Sequence, residues 1–497
     1  MRRWLLLLAA CAATLAPANG THVDQSSLDQ TGRWFVDRDG RIRVMHGVAF
    51  TTKEFSAQVF SATFDADDAA FLAANGLDIL RLAVFPSGVM PAPGTFDAAY
   101  VDHIAQIVDT AMAAHINVVI DFHQDLYAIK YYGRGLPDWM GEDGGLPNMP
   151  STGFPGNYFT NVTMWRAWDN FWLNGPSSVD RVPLQEHYAR AWQFVASRFK
   201  DHPGVLGFEI MNEPFPGTQW PTCASPLGCP VFDALLTRFS QRIARGISSA
   251  APGKFVFYEP NVTFDFGANT WHGDLGVRPA AFSFHVYCLG MQFGTPPAGS
   301  ELCGPLGERP QFGYADDHSR RYGVPLLLSE FGHFTAPADE DTGAVIRRVA
   351  GFADEVMASW TYWDYARSNP QDGMVNYGSE SLIKDLRRPP VGDNLIASRV
   401  DAVVRAYPRA IAGTPLGWRW DPDLRVFSLE YSTVRADGTG VFGPGSVTEI
   451  VVPVRHFPSG YVVEVRGARV VSAPGAQMLK LALSPGAGNV SVVVRPA

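Results

Sequence analysis

The chain has 497 residues, 46% hydrophobic and 18% charged, enough apolar surface for a large core and too little charge for global disorder. A formal charge of −9 at pH 7, with no run of Lys or Arg, argues against nucleic acid as a partner. The length exceeds one ordinary domain but accommodates a barrel of about 250 to over 400 residues with a small module attached.

Residues 1–20 read as a signal peptide. Arg2 and Arg3 precede the apolar stretch WLLLLAACAATLA, and Ala16-Pro17-Ala18 offers small residues for cleavage after about Ala18. The expectation is a secreted protein. The alternative is a lipid-anchored one, because Leu8-Ala9-Ala10-Cys11 resembles a lipobox, although the apolar run before Cys11 is short. No later segment supplies the roughly 20 unbroken apolar residues of a membrane-spanning helix. The remaining cysteines are Cys223, Cys229, Cys288 and Cys303, and disulfides among them suit export. Their spacing suggests two local loops, Cys223–Cys229 and Cys288–Cys303, but four cysteines allow three pairings and the sequence does not choose. No CxxC or companion histidine spacing points to a metal.

From residue 21 to about 410, short apolar runs alternate with helical patterns, the signature of βα units. Strands are predicted near residues 44–50, 79–84, 117–122, 205–211, 254–258, 281–287, 325–330 and 359–364. Helices are predicted over 65–74, 98–115, 184–199, 231–250 and 342–357, with Gly76 as a C-cap glycine. Eight strands with intervening helices make a (β/α)8 TIM barrel the expected fold. Between the third and fourth strands, residues 124–185 form an unusually long connection rich in Gly, Pro and aromatics, a candidate substrate wall. From 411 to 497 alternation replaces helical periodicity, as in RVFSLEYS, TEIVVPV and YVVEVR, so an antiparallel β-sandwich domain is expected. It carries no acid and histidine cluster. Support for the barrel is its favoured role, with a sugar-binding module or a lid as the others.

Chemistry concentrates at the predicted strand ends. GVLGFEIMNEP delivers Asn212 and Glu213, and VPLLLSEFG delivers Glu330. An opposed pair of carboxylates at the mouth of a barrel is the equipment for glycosidic bond cleavage, one as proton donor and one as nucleophile. Glu213 is the expected acid, Glu330 the expected nucleophile, held ionised by Arg81 or Tyr287. Asn212 can hydrogen-bond the sugar 2-hydroxyl. Arg81 can fix a carboxylate with bidentate donors. His123 and Asp125 close the third strand, His285 and Tyr287 the sixth, and Trp363 the eighth, where its face can stack on a sugar. A solitary histidine is more often structural, but recurrence at successive strand ends favours a shared site.

The set Arg81, His123, Asn212-Glu213, His285-x-Tyr287, Glu330 and Trp363 resembles the active site of the cellulase-like retaining glycosidases, glycoside hydrolase family five. The resemblance covers most of residues 30–407 and implies a (β/α)8 barrel with Glu213 as acid/base and Glu330 as nucleophile. More narrowly, DFHQD, MWRAWDNFW, MNEPF, HVY, LLLSEFG and YPRAIAGTP look like endoglycoceramidases, which cut between the glycan and ceramide of glycosphingolipids. Carried over by position, Asp125, Trp168 and Asp169 would line the glycan side, with Lys53 beside them. The chain departs from that pattern around Lys53, in the Cys223–Cys229 and Cys288–Cys303 regions and after Trp363. Those departures bear on the head group, galactose-linked ceramides included.

A lipid substrate gives the loops a purpose. FPGTQW, CASPLGCPVF and CLGMQFGTPP put Phe215, Trp220, Leu227, Leu289, Met291 and Phe293 near one rim, where they could cover ceramide chains or touch a membrane surface. The expected partner is thus a glycosphingolipid, with a membrane-surface contact, no nucleic acid and a monomeric chain. No metal or organic cofactor is required. Two other functions fit part of the pattern: an extracellular β-glucanase or mannanase, and a non-catalytic glycan- or lipid-binding protein built on an inactive barrel.

Overall fold

The computed structural model describes residues 28–51, 64–288, 303–304, 307–332, 339–366 and 380–497. Eight parallel strands close a barrel: β1 (His46–Phe50), β2 (Ile79–Val84), β3 (Asn117–Phe122), β4 (Val205–Glu209), β5 (Phe255–Tyr258), β6 (Ala280–Val286), β7 (Leu326–Phe331) and β8 (Ser359–Tyr362). Closure comes from β8 pairing with β1, Trp360 opposite His46. All residues of these strands are buried, which is why their sequences read as apolar runs without alternation. The predicted strands are all present, and β2 and β3 have the predicted ends.

The predicted helices also form. Asp65 caps Ala66–Ala74, accepting from the backbone of Asp67 and Asp68, while the Asp68 side chain returns a bond to Asp65 N. Gly76 follows at φ +75°, a left-handed turn that suits glycine. Among the described residues, two helices of more than ten residues were not predicted. Arg309–Tyr322 is too polar to show a clear apolar stripe. Val162–Trp172 lies in the long connection expected to be loop, and it buries Met164, Ala167, Trp168 and Phe171 on one face.

Two antiparallel sheets form the C-terminal sandwich. One contains Thr414–Asp421, Val426–Ser432, Asn489–Pro496 and Tyr461–Arg466. The other joins Tyr407–Ile411, Val447–Val451, Met478–Leu483 and Ala468–Val470 to three N-terminal strands, Asp29–Thr31, Trp34–Val36 and Ile42–Arg43. The alternation downstream of residue 411 gives no sign of that N-terminal contribution, because β-pairing partners are set by tertiary contact rather than by local pattern.

The sandwich sits at the N-terminal ends of the barrel strands. Phe35 packs its ring 5.0 Å from that of Phe255. His46, at the start of β1, stacks between Trp360 and Tyr407 at 4.2 and 3.8 Å. Asp354 is clasped by Arg405 and by the Trp418 indole N–H at 2.9 Å. The opposite mouth, where the strand C-termini converge, is left to the loops. Disulfides join Cys223 to Cys229 and Cys288 to Cys303, the local pairing. Among the described residues no helix is long and apolar enough to cross a membrane.

Candidate active site

Arg81, in the middle of β2, is buried at the centre of the mouth and organises the site. Its Nε donates to Glu209 on β4, Nη1 to Glu330 Oε1 at 2.5 Å, and Nη2 to Asn212 Oδ1 at 2.9 Å. Nη2 also lies 3.2 Å from Glu259 Oε1 and 3.1 Å from Asp121 Oδ2. Burial disfavours its charge, but Asp121, Glu209, Glu330 and Glu259 outweigh that and raise its pKa well above the usual value. One cation thus ties the ends of β3, β4, β5 and β7 together.

His285, on β6, links the two predicted glutamates. Its Nδ1 is 3.1 Å from Glu213 Oε1 and 3.6 Å from Glu330 Oε2, so the two carboxylate oxygens can be no more than about 7 Å apart, compatible with the roughly 5–5.5 Å of a retaining pair. Glu330 is buried and its Oε2 accepts from Tyr287 Oη at 3.1 Å. Glu213 is the more open of the two, with 12% of its side chain exposed against 5% for Glu330. It stands just past β4, where the backbone of Asn212 is still bonded to Phe122 O on β3 at 3.1 Å.

Among the described residues the buried acids of the site outnumber Arg81 and His285, the cations that meet them. Burial opposes the charge of His285, but Glu259, Glu330 and the bond to Glu213 hold its pKa well above the ordinary histidine value. Burial, with Glu209 adding to it, pushes Glu259 up to about 7 against the pull of His285 and Arg81. Burial likewise raises Asp121 and, strongly, Asp265. Asp121, Glu209 and Glu259 bring carboxylate oxygens within 4.8 Å of one another, as do Glu213, Asp265 and the His285 ring. Arg81 reaches each member of the first set and His285 belongs to the second, so each set already has a cationic partner.

The rim residues follow. His123 Nδ1 lies 2.7 Å from Asp121 Oδ2 and Nε2 3.4 Å from Asp125 Oδ2. Trp363 stacks on His123 with ring centroids 5.4 Å apart. A side chain at Gly332 would meet Glu380 Oε1 at 2.5 Å and the Trp363 carbonyl at 2.7 Å, so glycine is needed after Glu330 and Phe331.

The structure therefore brings Arg81, His123, Asp125, Asn212, Glu213, His285, Tyr287, Glu330 and Trp363 together through these contacts, whereas the contacts of Trp168 and Asp169 are with other residues. Trp168 is fully buried against Tyr127, Phe171 and Trp172, because its helix turns that face to the core. Asp169 binds the segment after β4 and Glu213, accepting from Thr218 N at 3.0 Å and Thr218 Oγ1 at 2.9 Å. Phe215 is a core residue beside Tyr158, whereas Leu227 is 78% exposed. Lys53, Leu289, Met291 and Phe293 lie outside the described residues.

Several site residues escaped the sequence reading: Asp121, Gln124, Glu209, Glu259 and Asp265. A signal existed for three. Asp121 and Glu209 interrupt apolar runs, in VVIDFH and LGFEIM, and Glu259 follows FVFY directly. An acid inside a strand buried on both faces must have a partner, and the partner here is Arg81.

A closed parallel barrel with paired acids and their cations at the strand C-termini is the construction of a glycoside hydrolase. Residues 44–369 match the cellulase family (glycosyl hydrolase family 5), and residues 405–494 match the glycoside hydrolase family 5 C-terminal domain. The chain belongs to glycosyl hydrolase family 5. Within that family it is endoglycoceramidase-like. It is 30% identical over 479 residues to endoglycoceramidase I of Rhodococcus hoagii, covering 94% of this chain and 88% of that one. Identity to the endoglycoceramidase of Hydra vulgaris is 26%, over 90% of this chain and 84% of that one. Among solved structures, endo-glycoceramidase II from Rhodococcus sp. in its ganglioside GM3 complex superposes with a TM-score of 0.72 at 27% identity, covering 94% of this chain and all of that one.

Proposed function

We propose that this glycoside hydrolase cleaves the β-glycosidic bond between the oligosaccharide and the ceramide of glycosphingolipids, with retention of configuration. Glu330 attacks the anomeric carbon while Glu213 protonates the departing ceramide oxygen. Glu213 then removes a proton from water, and the water releases the glycan from Glu330. The observation that carries this reading is the shared contact of both carboxylates with His285 Nδ1, at 3.1 and 3.6 Å. Their surroundings differ in the direction the two roles need. Glu330 meets two donors, Arg81 and Tyr287, which favour its charge, whereas Glu213 is the more solvent-open carboxyl and can exchange protons with water.

The endoglycoceramidase relatives and the ganglioside bound to one of them support the substrate class. Secretion by a cleaved leader rests on Arg2, Arg3 and the apolar run after them. Contact with a lipid surface would use Leu227 and Trp271, both exposed, with the Trp271 indole N–H donating to Leu227 O at 2.8 Å. The chain would work as a monomer.

The test is a panel of purified glycosphingolipids, glucosyl- and galactosyl-linked, beside cellulose and mannan, with products identified by mass. Intact ceramide and intact glycan are expected, the glycan first appearing as the β-anomer by NMR. Reducing ends from the polysaccharides without ceramide release would replace the substrate reading, and an initial α-anomer would replace the retaining one.

A further inference from the structure

Glu259 follows β5 in FVFYEPN and is buried. Its two oxygens face different parts of the site. Oε2 accepts the backbone N–H of Glu213 at 2.9 Å. Oε1 lies 3.2 Å from Arg81 Nη2 and 3.4 Å from His285 Nε2. The groups facing it thus come from β2 (Arg81), β6 (His285) and the segment after β4 (Glu213), with Asp121 and Glu209 close to its carboxylate as well.

The peptide it grips is an unusual one. Glu213 has φ +44°, a left-handed conformation that is strained for a residue with a Cβ and persists only where the surroundings hold it. Three contacts do so. Glu259 takes the N–H, Gln124 Nε2 donates to the carbonyl at 2.9 Å, and His285 Nδ1 meets the side chain at 3.1 Å. Through Arg81 the same Glu259 carboxylate is one donor group away from Glu330. It therefore communicates with both halves of the carboxylate pair while leaving the direct work to them.

We propose that Glu259 is a positioning residue, which fixes the Glu213 peptide in its left-handed conformation and so sets the reach of the Glu213 carboxyl toward the departing oxygen. The inference rests on the reading of Glu213 as acid/base. Geometry is what the Glu213 N–H requires of its acceptor, and Glu259 Oε2 meets it at 2.9 Å.

Two near-isosteric variants separate reach from charge. Glu259→Gln keeps an oxygen at the same distance from the Glu213 N–H, and Glu259→Asp keeps the acid but shortens it by a methylene. Each is assayed on the glycosphingolipid best cleaved in the panel, whose leaving oxygen needs a proton. Each is then assayed for the burst of dinitrophenolate from dinitrophenyl β-lactoside, whose leaving group needs none. Glu259→Gln turns its amide NH2 toward Arg81 and His285 and so loses activity of its own, but with the peptide acceptor kept it should retain at least tenfold more ceramide release than Glu259→Asp. Glu259→Asp should lose ceramide release 100-fold or more in kcat, with KM little changed and the dinitrophenolate burst within about threefold of the parent. The inference is overturned if Glu259→Asp matches the parent, if it loses both substrates together, or if Glu259→Gln falls as far as Glu259→Asp. Glu213→Ala serves as the control: if it keeps ceramide release, the acid/base reading fails first. If it shows the split and Glu259→Asp does not, only the positioning role fails.

Discussion

Arg81 Nη1 approaches Glu330 Oε1 at 2.5 Å while the same guanidinium also meets Glu209, Asn212, Glu259 and Asp121. A planar fork with five N–H donors can serve that many acceptors, and an ammonium cannot. Arg81→Lys should therefore lower kcat for ceramide release by about 100-fold or more and lower the thermal midpoint, since buried carboxylates are left without a partner. Steady-state kinetics with a thermal melt check both, and near-parental turnover would remove Arg81 from the centre of the site.

The Tyr287 hydroxyl donates to Glu330 Oε2 at 3.1 Å. Hydrogen bonds to charged groups contribute about 1.5–3 kcal/mol, so Tyr287→Phe should slow formation of the glycosyl-enzyme about 10- to 100-fold, with little effect on folding. Rapid-quench measurement of that step decides it.

Stability should depend on pH through Glu259. Its ordinary value is 4.5, and burial raises it to about 7 in the folded protein. The native state then keeps a proton that the unfolded chain releases, so this group's contribution is fully present below about pH 4.5 and is lost as pH rises through about 7. Glu259→Gln cannot ionise. The thermal midpoint of the parent relative to that variant should fall steadily between those pH values, and a constant difference would show that Glu259 does not titrate there.

Trp168 is a core residue rather than a sugar platform. Trp168→Ala should cost about 3–5 kcal/mol in denaturant unfolding while leaving the relative rates on different glycan head groups unchanged. A change in head-group preference without loss of stability would return Trp168 to the glycan side.

At the far end of the barrel, Asp354 and Arg405 are both buried and paired across the junction with the sandwich. Asp354→Ala leaves Arg405 without its acid, and breaking such a pair costs about 3–5 kcal/mol. The loss should appear in chemical denaturation, with kcat of the folded enzyme preserved, because the pair lies at the end of the barrel opposite Glu213 and Glu330.

Much of the site could be read before any coordinates because strands buried on both faces cannot hide a charge: NEP and SEFG stood out as acids at the ends of apolar runs. Asp121 and Glu209 carried the same signal inside VVIDFH and LGFEIM, and were passed over because they fall inside the predicted strands 117–122 and 205–211 rather than after them. Trp168 went the other way. Its resemblance-based role rested on a matching string, but the helical face on which Trp168 falls turns toward Tyr127 and Phe171.

Hydrophobic patterning by itself determined the eight barrel strands and five of the helices between them, the change of architecture after residue 407 and the presence of acids at strand ends, since these follow from local periodicity and burial. Only the tertiary structure decided that one arginine serves acids from four strands, that Glu213 sits in a left-handed peptide held by Glu259, and that strands between residues 29 and 43 complete the C-terminal sheet. Those are relations between residues distant in sequence, and they become energetic facts only when barrel closure brings their charges and backbone donors within bonding distance.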